Sequence, residues 1–284
     1  EVIIPAPYWV SYPDMVIACG GVPVTVACPE AQGFKISPVQ LADAITPRTR
    51  WLLINSPSNP TGATYSLAEY RALADVLARH PHVLVMTDDI YEHIRFEGGT
   101  APHLLNAAPE LRDRVLIVNG VSKTYAMTGW RIGWLAGPPD IIGALNTLLS
   151  QASGNACSIS QAAAVEALDG DQGFVAESVG IYRKRRDHMA ARINGIPGLS
   201  CLLPEGAFYL YVNCAGLIGR TTPDGKRLET DGDVVMYFLE SVGVATVQGS
   251  AYGLAPFFRI SIATSIETLD DGADRIARAV AALC

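Results

Sequence analysis

No two of the six cysteines (Cys19, Cys28, Cys157, Cys201, Cys214, Cys284) form a C-x-x-C pair, and none of the five histidines (His80, His82, His93, His103, His188) falls in an H-E-x-x-H or mixed His/Cys spacing. Metal frameworks and disulfide scaffolds thus lack their sequence signatures, and no metal ligand is assigned. Lying mostly in apolar stretches, the thiols read as small reduced hydrophobes of a cytoplasmic protein. A basic leader and an apolar run of membrane-spanning length are both missing, so nothing points to export or to a bilayer. Positive charge is scarce as well: 21 Lys and Arg against 28 Asp and Glu leave a formal net charge of -7. That balance works against nucleic acid as a partner, because phosphate-backbone affinity comes from clustered cations. Neither a G-x-S-x-G elbow nor a G-x-G-x-x-G turn after a strand occurs, which leaves serine-hydrolase and dinucleotide readings unsupported. Gly120-Val121-Ser122-Lys123-Thr124 lacks the spacing of a P-loop.

What the chain does have is apolar substance. With 49% hydrophobic and 17% charged residues over 284 positions, it can bury a large core and divide into two domains. Short apolar runs at Val2 to Pro5, Val22 to Ala27, Trp51 to Asn55, Val83 to Thr87, Val115 to Asn119 and Ile132 to Ala136 alternate with amphipathic stretches, the α/β pattern. Several are continuous Val/Ile/Leu runs, as expected for parallel strands buried on both faces. The clearest helix runs from about Leu67 to Arg79, with Leu67, Tyr70, Leu73, Ala74 and Leu77 on one face, a Ser66/Glu69 capping box and Pro81 beyond its end. Pro138-Pro139 opens another.

From Asp171 to Asn194 a long charged helix connects the halves, and its Arg183-Lys184-Arg185-Arg186 run reads as a solvated face. Residues 1–175 are expected to form a mostly parallel large domain, and 176–284 a smaller α+β domain. In the latter, Phe208 to Val212, Val244 to Val247 and Phe258 to Ile262 read as strands, and Ile266 to Leu283 as a closing helix introduced by Ser265. Glu1-Val2-Ile3-Ile4-Pro5 is a strand already under way, so a further segment is expected upstream.

Four short segments carry chemistry. Asp88 and Tyr91 follow an apolar strand, at the sheet edge where open α/β folds bind ligands. A carboxylate there can keep a heterocyclic nitrogen protonated; the competing readings of Asp88-Asp89 are a helix N-cap or a pair of metal ligands. Asn59, in Asn55-Ser56-Pro57-Ser58-Asn59-Pro60-Thr61-Gly62, is either presented at a fixed place by its prolines or part of an ordinary turn. Lys123 follows another strand, among Gly120, Ser122 and Thr124, with Arg131 offering a planar fork to a phosphate. Arg259 sits in Phe257-Phe258-Arg259-Ile260-Ser261-Ile262, where alternation puts Arg259 opposite the apolar face. A cation there needs an anionic partner, either an internal carboxylate or a substrate carboxylate.

Taken in order, Asn59-Pro-Thr-Gly, Asp88-x-x-Tyr91, Ser122-Lys123 with Arg131, and Phe-Arg259-Ile-Ser resemble the fold-type-I aminotransferases that use pyridoxal 5'-phosphate (PLP). Segments such as Pro5-Ala6-Pro7-Tyr8-Trp9-Val10-Ser11-Tyr12-Pro13 look closest to the bacterial aspartate aminotransferase branch. The resemblance implies the α/β PLP-transferase fold and a ping-pong transfer between an amino acid, aspartate first, and 2-oxoglutarate in a cytoplasmic homodimer. It makes Lys123 the Schiff-base lysine and proton carrier, with Asp88 and Tyr91 as its catalytic companions. Asp88 would hold the pyridine N-H, Asn59 and Tyr91 the ring oxygen, and Trp9 would stack on the ring. Ser122 and Arg131 would hold the phosphate, and Arg259, with Trp9 and Asn59, would bind the substrate.

Two departures from the family pattern stand out. Gly120 occupies a position where a phosphate-binding serine is common. The family's N-terminal segment, with its Gly-rich phosphate turn and part of the substrate pocket, is expected upstream of Glu1. Other fates on the same scaffold are aromatic transamination or β-elimination by a PLP-dependent lyase. Further alternatives are the aminotransferase-like sensory domain of a transcription regulator, or a folded chain that is inert without its phosphate turn.

Overall fold

In the computed structural model, which describes residues 1–284, the chain builds two sheets. The larger has the order β2-β1-β3-β4-β5-β6, from β1 (Val2–Ala6), β2 (Pro23–Ala27), β3 (Trp51–Asn55), β4 (Leu84–Asp88), β5 (Val115–Gly120) and β6 (Gly133–Ala136). The pairs among β1 to β5 are all parallel. Parallel pairing requires crossovers, and α1 (Ser11–Ala18), α2 (Pro38–Ala44), α3 (Leu67–Ala78) and the single turn α4 (Leu104–Ala107) supply them.

The expected capping box opens α3: Ser66 Oγ accepts from the Glu69 N-H, and the Glu69 carboxylate accepts from the Ser66 N-H at 2.7 Å. Its face of Tyr70, Leu73, Ala74 and Leu77 packs with Leu52, Ile54 and Val85 of the sheet and with Val83 just before β4. Leu67, expected on that face, is instead exposed, because the first residue after the cap lies at the helix's open end.

The strand expected at Ile132 to Ala136 is found, but β6 runs antiparallel to β5, with Gly120 opposite Gly133, and is exposed along its length. No α-helix lies between β5 and β6, and without a crossover helix the chain returns antiparallel. Beyond it, α5 (Pro139–Ala152) buries none of its side chains, and α6 (Ser158–Asp169) buries only Ser160 and Ala164.

The second sheet, antiparallel in the order β7-β8-β10-β9, comprises β7 (Ser200–Cys201), β8 (Tyr209–Asn213), β9 (Val247–Gln248) and β10 (Phe257–Ser261). The Val244 to Val247 strand contracts to two residues, since Gly243 ends the preceding helix in the left-handed conformation (φ 67°) and 244–246 are spent reaching the sheet edge. Three helices, α7 (Gly173–Asn194), α8 (Asp231–Val242) and α9 (Ile266–Ala281), bury Met189, Phe238 and Ile276 with Leu210, Val212, Phe258 and Ile260 of the sheet. This core is separate from that of the larger sheet.

The two units meet beside the loop after β3. Gly62 O accepts from the N-H groups of Glu205 and Gly206 at 3.1 and 2.9 Å. Gly62 has φ +68°, and a Cβ there would run into Pro204 and the Gly206 carbonyl. Glycine is required both for that left-handed turn and for so close a backbone approach. The Asn59 loop is thereby pinned to the second unit.

Candidate active site

Parallel strands end at one edge, and that edge collects the motif residues. Trp9 lies just beyond β1, Asn59 beyond β3, Asp88 at the end of β4 with Tyr91 after it, and Ser122 and Lys123 beyond β5. Arg131 precedes β6, whose antiparallel course brings its start to the same edge. Arg259 reaches in from β10 of the smaller sheet. All eight residues line a single cleft of about 520 Å³, together with Tyr12, Asn55, Ile90, Val118, Thr128 and Tyr209.

Asp88 is fixed from below. Its Oδ2 accepts from the Tyr12 hydroxyl at 2.6 Å and its Oδ1 from the Ile90 N-H at 3.3 Å. Burial pushes its carboxyl above the usual carboxylate range, opposed by those two hydrogen bonds and by the Lys123 cation. A carboxylate so placed gains from a cationic N-H brought against it. The neighbouring Asp89 turns the other way, its Oδ2 accepting from Thr87 Oγ1 at 3.1 Å and lying 3.0 Å from His103 Nε2. The adjacent pair therefore divides its work and does not converge on one ion.

Lys123 makes no hydrogen bond or ion pair, whereas Lys35 is paired with Glu69 at 2.6 Å and Lys226 with Asp233 at 3.2 Å. Burial lowers the Lys123 pKa, the Arg131 and Arg259 cations lower it further, and Asp88 partly offsets them. Both effects favour the neutral, nucleophilic amine. The loop after it contains Ala126 at φ 53° and Arg131 at φ 56°. Non-glycine residues in that region are strained and cluster at functional sites. Thr128 Oγ1 donates to the Ser122 carbonyl and Arg131 Nη1 to the Thr128 carbonyl, both at 3.0 Å.

Arg259 has no carboxylate partner. Its Nη1 donates to Asn59 Oδ1 at 2.9 Å, its guanidinium carbon lies 4.5 Å from the centre of the Tyr209 ring and 5.2 Å from that of Tyr252, and its Nε is buried without a partner. The internal salt bridge is thus not what this strand arginine forms. Asn59 is itself held by Asn55, whose Oδ1 accepts its N-H at 2.8 Å while Nδ2 donates to the Asp88 carbonyl at 2.8 Å. With its oxygen bound to Arg259, the Asn59 amide keeps its NH2 group for the cleft. Tyr91 and Tyr209 meet hydroxyl to hydroxyl at 2.9 Å.

This donor set matches PLP group by group: a buried carboxylate for a ring nitrogen, amide and phenol donors for a ring oxygen, an amine for an aldehyde, and an arginine for a phosphate. Arg259, a cleft cation without a carboxylate partner, can take one more anion. The family model of aminotransferase class I and II matches residues 1–276. The chain belongs to that family. Family membership makes this a PLP-dependent aminotransferase acting on amino and 2-oxo acids. It is 53% identical over 279 residues to an aspartate aminotransferase of Rhizobium meliloti strain 1021, a match covering 98% of this chain and 68% of that protein. An aspartate/prephenate aminotransferase of Cereibacter sphaeroides is 51% identical over 276 residues, covering 97% and 69%. Among solved structures, the aspartate aminotransferase of Rhizobium meliloti superposes with a TM-score of 0.98 at 52% identity, covering all of this chain and 71% of that one.

The aminotransferase cleft also contains residues that the motifs did not single out. Tyr12 lies on α1, a helix signalled by Pro13 and Asp14 in its first turn. Asn55 was visible as the last residue of a strand and the first of the Asn59 loop segment, with no role assigned to it. Tyr209 lies diagonally from Arg259 across the β8/β10 pair, in which Tyr211 is opposite Arg259. Its position follows from alternation on both strands once their register is known.

Proposed function

We propose that this aminotransferase moves the amino group of L-aspartate to 2-oxoglutarate by a ping-pong cycle, with Lys123 as the residue that holds PLP. The observation carrying the reading is the meeting, in one cleft, of an unpaired amine lowered by burial, a buried carboxylate and two arginines without carboxylate partners. The choice of aspartate draws support from the Rhizobium and Cereibacter relatives.

When bound, PLP supplies an aldehyde carbon open to amines and a cationic ring that accepts the electron pair released at the substrate's Cα. Asp88, held in place by Tyr12, would pair with the ring N-H. Asn59 and Tyr91 would donate to the ring oxygen, and Trp9 would stack on the ring. Arg131, with Ser122, would hold the phosphate. Arg259 takes the substrate α-carboxylate in its fork, with Asn59 fixing the guanidinium plane. Lys123 would hold PLP through its amine and would serve as the group that takes up and returns the proton of the substrate's Cα.

Residues 1–175 act as the cofactor-binding unit and 176–284 as the smaller unit entered through α7. No helix is long and apolar enough to cross a membrane; a homodimer in the cytoplasm is the arrangement proposed. Half-reaction rates with aspartate, tyrosine and cystathionine test the substrate assignment, with prephenate added as a second oxo acid. Aspartate is expected to react at least about tenfold faster than the other two donors, a margin that one well-placed charged contact provides. Equal rates on all three would defeat the assignment.

A further inference from the structure

Tyr209 touches both halves of the cleft. Its ring carries the Arg259 guanidinium at 4.5 Å, and its hydroxyl lies 2.9 Å from that of Tyr91. Its side chain is almost fully buried, and the backbone at its start is constrained: Ala207 has φ 56°, and Ala207 N donates to the Ile94 carbonyl at 2.8 Å. Phe208 packs beside Tyr91 and Tyr209 with ring centroids 5.5 and 4.7 Å away. The phenol therefore has a fixed place between the two groups.

In the protein alone either hydroxyl can donate to the other. An acceptor facing Tyr91 removes that freedom. Each phenol has one proton, so once Tyr91 donates into the cleft its oxygen can only accept from Tyr209, and the order becomes Tyr209 to Tyr91 to the acceptor. Chained hydrogen bonds polarise one another, which makes Tyr91 the stronger donor. The ring of Tyr209, with Tyr252 on the other contact, meanwhile keeps the guanidinium plane in one orientation through cation–π contact.

We propose that Tyr209 is a positioning residue that serves two binding groups at once: its hydroxyl orders and strengthens the Tyr91 donor, and its ring sets the plane of Arg259. This deepens the reading given above and rests on its assignment of Tyr91 to the cofactor ring oxygen and Arg259 to the substrate carboxylate.

The two roles separate by substitution. Tyr209→Phe keeps the ring and deletes the hydroxyl, while Tyr209→Leu removes both. In the PLP-loaded enzyme the readouts are the pH titration of the cofactor's near-visible band and the Kd of maleate, an unreactive dicarboxylate. A weakened donor to the ring oxygen stabilises the protonated form of the chromophore, so the titration midpoint moves up. For Tyr209→Phe the midpoint is expected to rise by roughly half a pH unit, with the maleate Kd within about twofold of the parent. Tyr209→Leu is expected to show a similar rise and to weaken maleate by roughly fivefold. A Tyr209→Phe enzyme with an unmoved midpoint, or one that loses maleate as severely as Tyr209→Leu, overturns the proposal. Tyr91→Phe is the control: a shift there with none in Tyr209→Phe sinks this proposal alone, whereas no shift in either sinks the Tyr91 assignment along with it.

Discussion

At one end of the cleft Arg259 lies between two tyrosine rings, bonded to an asparagine that is itself bonded to the strand beside it; at the other, Arg131 is exposed and bonded only to a carbonyl of its own loop. Both arginines lack a carboxylate partner, yet only the first is organised in advance of its anion. The difference follows from where the elements come from. Arg259 is on a central strand of the smaller sheet and is gripped by groups from both units. Arg131 is on the connection to the exposed edge strand β6. A preorganised site spends little of its binding free energy on ordering the protein, and an open one spends more. Substitutions at the buried end should therefore cost more than those at the open end.

The largest effect is expected between the two ends, at Lys123. Lys123→Ala should lower transamination by at least about 10³-fold, since it removes both nucleophile and proton carrier. Steady-state rates check this, and near-parental turnover would remove Lys123 from the chemistry.

Asp88→Asn should cost roughly 10²- to 10³-fold in the half-reaction, the scale of losing one preorganised charge. It should also stabilise the protein without PLP. Because burial raises the Asp88 pKa in the fold, the folded state binds this proton more readily than the unfolded chain does. Its contribution is therefore favourable on the acid side and is lost as pH rises through the raised value. Thermal melts of the PLP-free variant should gain on the parent from acid toward neutral pH, and a variant that instead melts earlier at neutrality contradicts the picture of a buried charge only partly offset by its hydrogen bonds.

Arg259→Lys keeps the charge but loses the planar fork and the stacking on Tyr209, and should raise KM for the amino acid by roughly 10- to 100-fold. An effect on kcat alone would place Arg259 away from the substrate's ground-state contacts. Arg131→Ala is the smallest of the four, about tenfold in PLP retention by dialysis, because its charge is exposed and screened. Removing this cation also relieves pressure on the Lys123 ammonium, so the Lys123 pKa should rise and the activity profile move to higher pH. If Arg131→Ala proved more damaging than Arg259→Lys, the contrast between a built end and an open end would fail.

Much of this organisation was legible in residue order. Runs such as Val83 to Thr87 and Val115 to Asn119 read as parallel strands, and a residue placed just after such a strand is delivered to the ligand-binding edge whatever the rest of the fold does. The placement of Lys123, Asp88 and Asn59 at one cleft was legible for that reason. Contacts between elements distant in sequence were not. The Tyr12 hydroxyl reaches Asp88 across 76 positions, and Arg259 reaches Asn59 across 200. Nothing local in Ser11-Tyr12-Pro13 distinguishes a support for a carboxylate from an ordinary helix start. The direction of β6 was hidden for a related reason, because a short apolar run reads the same whichever way the strand travels. Leu67 shows the reverse error: helical periodicity extended to the first residue after the cap, where there is no sheet left to cover it.

The central claim is that Lys123, among the four lysines of the chain, is the one that bonds to PLP. Borohydride reduction of the PLP-loaded enzyme followed by peptide mass mapping tests it most directly. The account predicts a single pyridoxyl adduct on the peptide containing Ser122-Lys123-Thr124; an adduct on Lys35, Lys184 or Lys226 with Lys123 unmodified would contradict it.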